Sequence, residues 1–296
     1  MKLLLIGANG QVGDALRPRL AALGEVIVTT RSGTLPDGTA CERLDLGEDG
    51  AARRVVETHR PDVVVNAAAY TAVDRAEDER DAAFRANADA PGELAHACAA
   101  LDVPLVHYST DYVFDGRGER PYREDDDTAP LGAYGESKLA GEQAIRTSGC
   151  RHVILRTAWV YGLHGHNFLR TMLRLAAERD ELRVVADQVG APTPAWLIAD
   201  VTRALIEQGR TDLGVRHLTA NGQTSWHGFA SAIVETAHAR GLLARRVPVV
   251  PITTAEFPTR ARRPAYSVLD CGALQRDAGI QLPRWDAALA ATLQRG

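Results

Sequence analysis

Three evenly spaced glycines follow an apolar run at the start of the chain, and they constrain the fold more than any other feature. The run Leu3–Ile6 is continuous, as in a strand buried on both faces, and apolar residues then recur at helical spacing over positions 12–23. Gly7 permits a tight turn, Gly10 lets the backbone approach a phosphate group, and Gly13 lets the helix pack closely on the strand. The stretch therefore predicts a strand, a phosphate-binding turn and a helix.

The flanking elements decide how this glycine stretch is interpreted. An isolated GxxGxxG match would be about as often a simple chain reversal as a binding turn, but an apolar strand before it and a helix after it favour the binding turn. One residue disagrees with the helix: Pro18 lies inside it and cannot donate a backbone hydrogen bond. We expect a kink or a distortion there.

Composition sets wide limits on the class of protein. The 296 residues leave room for a nucleotide-binding domain and a smaller second domain. The net charge of −4, with dispersed basic residues, argues against a nucleic-acid surface. We expect a cytoplasmic protein with no membrane span and no signal peptide. The four cysteines are scattered without a CxxC pair, so we expect reduced thiols: Cys41, Cys98, Cys150 and Cys271.

Strand-like and helix-like segments alternate through the first half of the chain, which predicts an α/β fold with a doubly wound, Rossmann-type parallel sheet. We place a cofactor-binding domain at residues 1–162, a returning segment near 213–222, and a mainly substrate-binding α/β domain at 163–296. Helices are predicted at Pro91–Leu101 and Ser137–Thr147. The predicted strands are Leu3–Ile6, Val26–Thr29, a short one at Glu42–Leu44, Val63–Asn66, Leu105–Tyr108, Val153–Arg156 and a returning strand near His217–Thr219.

The end of the second predicted strand bears on the choice of nicotinamide cofactor. An acidic residue there would bind the ribose 2′-hydroxyl, whereas an arginine accommodates a 2′-phosphate. The chain has Arg31, which favours NADPH over NADH, although a solvated loop arginine is the competing interpretation. Asp45 and Leu46 are candidates to flank the adenine, and the small residues of Ala67–Ala69 suit a dinucleotide that lies close to the backbone.

A tyrosine and a lysine at i, i+4 spacing are the candidate catalytic pair. Tyrosine is a weak acid at its ordinary pKa near 10, and a neighbouring ammonium would favour the phenolate. Lys138 follows Tyr134 by one helical turn, and Thr110 supplies a hydroxyl after an earlier strand. We expect NADPH to deliver a hydride to a carbonyl carbon, while Tyr134 protonates the carbonyl oxygen and Thr110 hydrogen-bonds to that oxygen. A YxxxK match alone is common on exposed helices, but its order after the glycine turn favours catalysis.

The GxxGxxG spacing resembles that of short-chain dehydrogenases, and four further segments make the resemblance more specific. They are Asn66–Asp74 (NAAAYTAVD), Ser109–Gly116 (STDYVFDG), Arg156–Gly162 (RTAWVYG) and Asp187–Thr193 (DQVGAPT). In this order they resemble the dTDP-4-dehydrorhamnose reductases and cover most of the chain. The resemblance implies NADPH-dependent reduction of the C4 keto group of dTDP-4-dehydro-L-rhamnose, the last step toward dTDP-L-rhamnose, a precursor of lipopolysaccharide or cell-wall polysaccharide.

The same resemblance implies roles for individual residues. Thr110 and Asp111 would contact the sugar, Trp159 would shape its pocket, and Tyr134 and Lys138 would be catalytic. The residues implied to line the cofactor are Gly10, Gln11, Val12, Ala69, Tyr70 and Thr71, next to Gly7 and Gly13 of the turn.

A basic segment downstream is a candidate for the substrate diphosphate. In Arg260–Pro264, the planar fork of Arg263 would suit two phosphate oxygens, although a solvated charge cluster is nearly as common an explanation. Trp159 likewise has a core-packing alternative.

The acidic residues of the chain bear on magnesium binding and on oligomer formation. Relatives are thought to dimerise around magnesium held by glutamates, but here Asp14 follows the glycine turn and Thr292–Gly296 holds no acid. Mg²⁺ is thus a disfavoured cofactor, no metal site is predicted, and we expect a monomer or a weak metal-free homodimer. His164 and His166 lie in a glycine loop without a third ligand, so we expect them to be solvent-exposed or near the substrate.

Two alternative functions stay open. A related nucleotide-sugar epimerase or dehydratase would share the fold, but a dehydratase is expected to carry an Asp-Glu pair after the threonine, where this chain has Asp111–Tyr112. A non-catalytic NADP-binding subunit, resembling the regulatory subunit of methionine adenosyltransferase, would bind cofactor without consuming it. The presence of both Tyr134 and Lys138 favours an enzyme.

Overall fold

Parallel strands flanked by helices make up most of the molecule in the computed structural model, which describes residues 1–295. The strands are β1 Lys2–Ile6, β2 Glu25–Thr30, β3 Glu42–Arg43, β4 Val63–Asn66, β5 Leu105–Thr110, β6 His152–Thr157, β7 Val160–Tyr161, β8 Leu182–Val185, β9 Val189–Gly190, β10 Thr193–Pro194, β11 Gly214–His217, β12 Thr224–Ser225 and β13 Val249–Ile252. The α-helices are α1 Gln11–Ala21, α2 Ala51–His59, α3 Arg80–Phe84, α4 Ala90–Leu101, α5 Ala133–Thr147, α6 Phe168–Glu178, α7 Ala195–Glu207, α8 Trp226–Ala239, α9 Gly272–Ala278 and α10 Trp285–Thr292.

The main sheet runs in the order β11-β6-β5-β4-β1-β2-β3, with every neighbouring pair parallel. The strand order reverses between β1 and β4, so the sheet is doubly wound and confirms the predicted Rossmann-type class. In such a sheet the ligand crevice lies outside the carboxyl ends of the strands, next to the point of reversal. The carboxyl ends of β1, β2, β4 and β5 therefore mark where a functional site should be sought.

The apolar run in β1 is continuous because helices cover both faces of the sheet. Leu3 and Leu5 pack into one core cluster with α1 and α7, whereas Leu4 and Ile6 pack into a second cluster with α2 and α4. Successive side chains of a strand point to opposite faces, so both halves of the run are buried.

Helix α1 continues through Pro18, which does not interrupt it. Pro18 is exposed and lies one turn before the end of the helix at Ala21. Because Pro18 has no N–H, the carbonyl of Asp14 lacks its usual helical hydrogen-bond donor. Asp14 is only half-buried, so water can replace that donor. The expected distortion therefore leaves the helix unbroken.

Two element boundaries differ from the prediction in ways that matter for the site. Strand β5 extends beyond Tyr108 to Thr110, so the threonine ends the strand itself. Helix α5 begins at Ala133 instead of Ser137, because the side chain of Glu77 accepts a hydrogen bond from the Ala133 N–H at 2.9 Å. As a result, Tyr134 and Lys138 both lie within the helix, on adjacent turns.

The C-terminal part of the chain contributes to two regions. Helix α7 packs on α1 and strand β11 pairs with β6, so both belong to the main sheet. Helices α6 and α8 form a separate apolar cluster around the fully buried Tyr161 and Phe229. Three short strand pairs lie beside it: β7 with β10, β8 with β13, and β9 with β12. Within residues 1–295, no helix is long and apolar enough to cross a membrane.

Candidate active site

The glycine turn between β1 and α1 is closely packed. Gly7 has φ +82°, a left-handed conformation that favours glycine, and a Cβ on Gly13 would lie 2.1 Å from the Gly7 carbonyl oxygen. Gly10 is different, since the one described atom within 4 Å of an added Cβ is that same oxygen, at 3.4 Å. Gly7 and Gly13 thus serve the close packing of the turn, while Gly10 leaves the approach to the helix N-terminus open. Free N–H groups at that end suit a phosphate.

Beside the turn, the side chain of Gln11 is held by a residue far along the chain. Asn167 Nδ2 donates to Gln11 Oε1 at 2.9 Å, and Asn167 Oδ1 caps α6 by accepting from the Arg170 N–H at 3.1 Å. Val12, the next residue, is half-buried against the core. The first turn of α1 is therefore tied to the first helix of the C-terminal part.

The candidate cofactor-binding residues after β2 and β3 differ in how exposed their side chains are. Arg31 is exposed directly after β2, while the Thr30 hydroxyl is turned inward to the Thr34 carbonyl at 3.1 Å. Asp45 is half-buried and accepts from the Gly47 N–H at 2.9 Å. Leu46 is buried and packs in the core, so only part of its side chain is available to flank an adenine.

The loop after β4 presents Ala69, Tyr70 and Thr71 at the same edge of the sheet. Ala69 and Thr71 are exposed, and the backbone of Tyr70 is fixed by Asn87, which donates to its carbonyl at 3.0 Å and accepts from its N–H at 2.8 Å. The loop is thus a fixed, solvent-accessible surface next to the glycine turn.

Thr110 ends β5 and Asp111 follows it, and both are buried. The Thr110 hydroxyl donates to Asp111 Oδ1 at 3.0 Å and accepts from the Tyr112 N–H at 3.2 Å. Asp111 is 2% exposed, and among residues 1–295 its Oδ2 has no hydrogen-bond partner. Burial raises the pKa of this carboxyl to about 6, while hydrogen bonds from Ser267 and Thr110 lower it in part.

Tyr134 lies next to this pair on α5. Burial raises the pKa of its phenol, and a hydrogen bond with the Thr110 side chain lowers it in part. The ring of Tyr112 packs edge-on against it with 5.6 Å between centroids. The phenol keeps its proton at neutral pH, which is the form that a proton donor needs.

Lys138 is 2% exposed and does not act on Tyr134 in the expected way. Its Nζ donates to the Tyr108 carbonyl oxygen at 2.7 Å and lies 3.3 Å from His107 Nε2. Burial lowers the pKa of the amine to about 8, with Glu142 opposing that shift. The expectation that Lys138 lowers the pKa of Tyr134 finds no support in these contacts, because the amine faces β5 and the pKa of the phenol is raised.

Trp159 takes part in an aromatic stack. Its ring lies parallel to that of Trp226, with 3.5 Å between centroids, and an added Cβ on Gly190 would lie 2.5 Å from it. The residue has φ +49°, a conformation that few non-glycine residues adopt, and both tryptophans are half-buried. The partner Trp226 was not predicted from the sequence.

Arg263 reaches the same site from the C-terminal part but is already paired. Its Nη2 lies 2.6 Å from Asp74 Oδ2 in the loop after β4, and its Nη1 donates to the Tyr112 hydroxyl at 3.3 Å. The Ala261 N–H donates to Asp74 Oδ1 at 3.0 Å, so the backbone joins this contact. Asp74 was quoted in the sequence only as part of a motif, and its spacing gives no sign of the ion pair.

Among the described residues, the candidate metal ligands of the sequence do not come together, and the cysteines are not paired. His164 and His166 are exposed, Asp14 lies 3.3 Å from Arg17, and no cluster of three metal-ligating side chains occurs in residues 1–295. The cysteines form no disulfide in the described part of the chain, and three of the four are buried.

A glycine turn after β1 and the Tyr134–Lys138 pair on the helix after β5 define, with the doubly wound sheet, an enzyme of the short-chain dehydrogenase/reductase class. The chain belongs to the RmlD family, since the model of the RmlD substrate binding domain matches residues 1–296. This membership confirms the resemblance to the dTDP-4-dehydrorhamnose reductases.

Individual relatives agree with this family. A dTDP-4-dehydrorhamnose reductase of Burkholderia thailandensis is 50% identical over 98% of this chain and 97% of its own. The crystal structure of such a reductase from Clostridium acetobutylicum has a TM-score of 0.90 at 38% identity, covering 100% of this chain and 99% of that one. The reductase of Bacillus anthracis, in complex with NADP, has a TM-score of 0.88 at 34% identity over 100% and 99% of the two chains.

Proposed function

We propose that this protein reduces the C4 keto group of dTDP-4-dehydro-L-rhamnose with NADPH to give dTDP-L-rhamnose. The observation that carries the proposal is the near full-length similarity, at 50% identity, to a protein named for this reaction. The buried Thr110 and Lys138 and the half-buried Tyr134, near the carboxyl edge of the sheet, supply the chemistry that such a reduction needs.

The catalytic roles follow from the environment of each side chain. Tyr134 protonates the sugar oxygen, because burial keeps the phenol protonated until the transfer. Thr110 hydrogen-bonds to the same oxygen from the adjacent strand end. Lys138 holds the ribose next to the nicotinamide with the donors that remain beyond its bond to Tyr108.

NADPH supplies the hydride when bound, and the glycine turn fits such a group. The open approach at Gly10 and the free N–H groups of α1 suit the pyrophosphate, and the exposed loop after β4 suits the rest of the dinucleotide. The residues that we propose to hold the cofactor are Gly7, Gly10, Gln11, Val12, Gly13, Arg31, Asp45, Leu46, Ala69, Tyr70, Thr71, Tyr134 and Lys138.

The preference for NADPH over NADH rests on Arg31. Its guanidinium is exposed directly after β2, where a 2′-phosphate would lie, and the related reductase of Bacillus anthracis was crystallised with NADP. NADH remains a weaker second cofactor. We propose no role for Mg²⁺, because Asp14 is engaged by Arg17.

We propose that the nucleotide sugar lies between the two parts of the chain, with residues 1–162 serving mainly the cofactor and 163–296 mainly the substrate. Asp111 contacts the sugar, Trp159 shapes its pocket together with Trp226, and Arg263 binds the diphosphate. We propose that the protein acts in the cytoplasm, as a monomer or weak homodimer and without a membrane partner. The dispersed basic residues and the net charge of −4 support the absence of a nucleic-acid partner.

The test is NADPH oxidation with dTDP-4-dehydro-L-rhamnose, comparing the intact chain with Tyr134→Phe and Tyr108→Phe. Tyr108 is a matched control, because its hydroxyl contacts Thr202 of α7 at 2.8 Å, away from Thr110. We expect Tyr134→Phe to lose about 10²–10⁴-fold in kcat, with NADPH affinity unchanged and Tyr108→Phe near full activity. Tight NADPH binding without oxidation by the intact chain would favour the regulatory-subunit or epimerase alternatives, which no contact in residues 1–295 favours.

A further inference from the structure

A row of buried polar side chains lies behind the proposed catalytic pair, on β4, β5 and α5. Asn66 Nδ2 lies 3.1 Å from His107 Nδ1, and His107 Nε2 lies 3.3 Å from Lys138 Nζ. Asn66 is 1%, His107 0% and Lys138 2% exposed. Groups buried this deeply depend on one another for hydrogen bonds, so the protonation of one restricts the others.

The orientation of Asn66 determines which nitrogen of His107 carries the hydrogen. Asn66 Oδ1 accepts from the Ala68 N–H at 3.1 Å, which turns the Nδ2 donor toward His107 Nδ1. Burial and the nearby Lys138 lower the pKa of His107 well below 6.5, so the ring is neutral and has one donor and one acceptor. Since Nδ1 accepts from Asn66, the hydrogen is on Nε2, the nitrogen that faces Lys138.

This arrangement suits one protonation state of Lys138 better than the other. A protonated amine has three donors and no acceptor, so it cannot form a hydrogen bond with the Nε2–H of His107, which is also a donor. A neutral amine accepts from that N–H and still donates to the Tyr108 carbonyl oxygen, which lies 2.7 Å away. Both contacts are therefore satisfied only after Lys138 has released a proton.

Few other charged groups act on this amine. Glu142, one turn further along α5, favours the ammonium, but its carboxylate also holds Arg156 of β6 at 2.7 Å. Asp111, after β5, acts on Tyr134 and raises its pKa. The helical segment 85–89 packs on α5 through the uncharged Asn87, whose amide donates to Ser137 Oγ at 3.0 Å. The contact with His107 is thus the polar side-chain contact that opposes Glu142.

We propose that His107 is a positioning residue that holds the Lys138 amine in place and favours its deprotonated form. The proposal rests on the proposed function in one respect, namely that Lys138 serves the cofactor ribose beside Tyr134. Lys138 can then lose its proton within the folded protein. An arginine could not replace it, because a guanidinium does not deprotonate in proteins.

The chain offers an unusually direct test, because Lys2 and Lys138 are its two lysines. Protein labelled with ¹³C at the lysine ε carbon gives two signals, and a Lys2→Arg variant assigns them. The chemical shift of the Lys138 carbon, followed from pH 6 to pH 11, reports the ionisation of its amine without substrate, cofactor or turnover. We expect a midpoint at about 8 in the intact protein.

His107→Gln is the informative variant. The glutamine amide can turn its oxygen toward Lys138 and accept from the ammonium, so the midpoint should rise by about one pH unit or more, the size of one charge-assisted hydrogen bond. His217→Gln is the matched control: His217 is also 0% exposed and lies in the same sheet, but it contacts the Tyr122 carbonyl oxygen at 3.1 Å. Its Lys138 midpoint should equal that of the intact protein.

An unchanged Lys138 midpoint in folded His107→Gln overturns the proposal, and so does an equal rise in His217→Gln, which would reflect general loosening. If His107→Gln does not fold, Asn66→Leu replaces it, because loss of the Asn66 donor frees His107 to move its hydrogen to Nδ1 and should also raise the midpoint. A protein that fails to oxidise NADPH but shows these shifts would contradict the proposed function alone.

Discussion

The side chains of Asn167 and Gln11 meet although 156 positions separate them in the sequence: Nδ2 of Asn167 donates to Oε1 of Gln11 at 2.9 Å. The same nitrogen faces the carbonyl oxygens of Gly162, at 2.9 Å, and His164, at 3.0 Å. The loop after β7 is therefore fastened to the start of α1, next to the phosphate-binding turn.

Asn167→Asp should weaken NADPH binding about tenfold, because a carboxylate would face three oxygens where the amide now donates. The helix cap on α6 survives, since an aspartate still accepts from the Arg170 N–H. The measurement is a fluorescence titration with NADPH. Asn221→Asp is the control, because the Asn221 amide donates instead to the Leu282 carbonyl oxygen. Equal losses in both variants would mean that the effect is general destabilisation.

Arg31→Asp should weaken NADPH by at least about tenfold and NADH much less, since a carboxylate repels the 2′-phosphate that the guanidinium would bind. Dissociation constants for both cofactors give the ratio. Arg210→Asp serves for comparison: this exposed arginine precedes β11 and so lies at the amino-end edge of the sheet. Parallel losses of NADPH and NADH affinity would remove Arg31 from the phosphate site.

Arg263→Ala should raise the KM for the nucleotide sugar about tenfold or more and leave the KM for NADPH unchanged, because a bidentate phosphate contact is lost. The exposed neighbour Arg262 provides the control, and Arg262→Ala should behave like the intact protein. Asp74→Asn separates binding from support, since it breaks the ion pair but keeps the guanidinium. If Asp74→Asn and Arg263→Ala raise the KM equally, the role of Arg263 is to hold the loop.

Asp111→Asn should stabilise the protein at high pH. The folded protein binds the carboxyl proton more tightly than the unfolded chain, with a pKa of about 6 against an ordinary 3.8, so ionisation costs stability as pH rises through this interval. The free energy of unfolding of the variant, relative to the intact protein, should therefore rise by about 2 kcal/mol between pH 4 and pH 8. Urea unfolding at several pH values measures it.

Asp115 is the control, because ionisation of this aspartate changes the stability in the opposite direction. Hydrogen bonds from Tyr122 and the Arg117 N–H lower the pKa of Asp115, so its ionised form contributes stability above the ordinary pKa and loses it on acidification. Asp115→Asn should thus lose stability relative to the intact protein as pH rises. If the stability of both variants, relative to the intact protein, changed in the same direction with pH, the raised pKa assigned to Asp111 would be contradicted.

The strands and the glycine turn could be predicted because their signals are local. Strand β4 has the predicted bounds, Val63–Asn66, since a strand buried on both faces is a continuous apolar run. The start of α5 could not be predicted, because its first N–H is satisfied by Glu77, a residue more than 50 positions earlier. A boundary that depends on such a distant side chain leaves no local pattern.

The partners of the predicted site residues were equally hidden. Thr110, Tyr134 and Lys138 could be named from their motifs, but the contact of Lys138 with His107 depends on how α5 packs on β5. Arg263 was predicted as a cation free to bind phosphate, and its ion pair with Asp74 joins residues 189 positions apart. Motifs identify groups with chemistry, whereas the charges that face them are set by packing.

The last strand of the sheet also affects how the protein can be assembled and re-engineered. Because β11 follows α6 and α7 in the chain, the outer edge of β6 stays unpaired on the ribosome until residues 214–217 have been made. A chimera that exchanges the C-terminal half with a relative at residue 162 would bring a foreign α7 and β11 onto a native sheet edge. An exchange that keeps α7 and β11 with their own sheet should fold more readily.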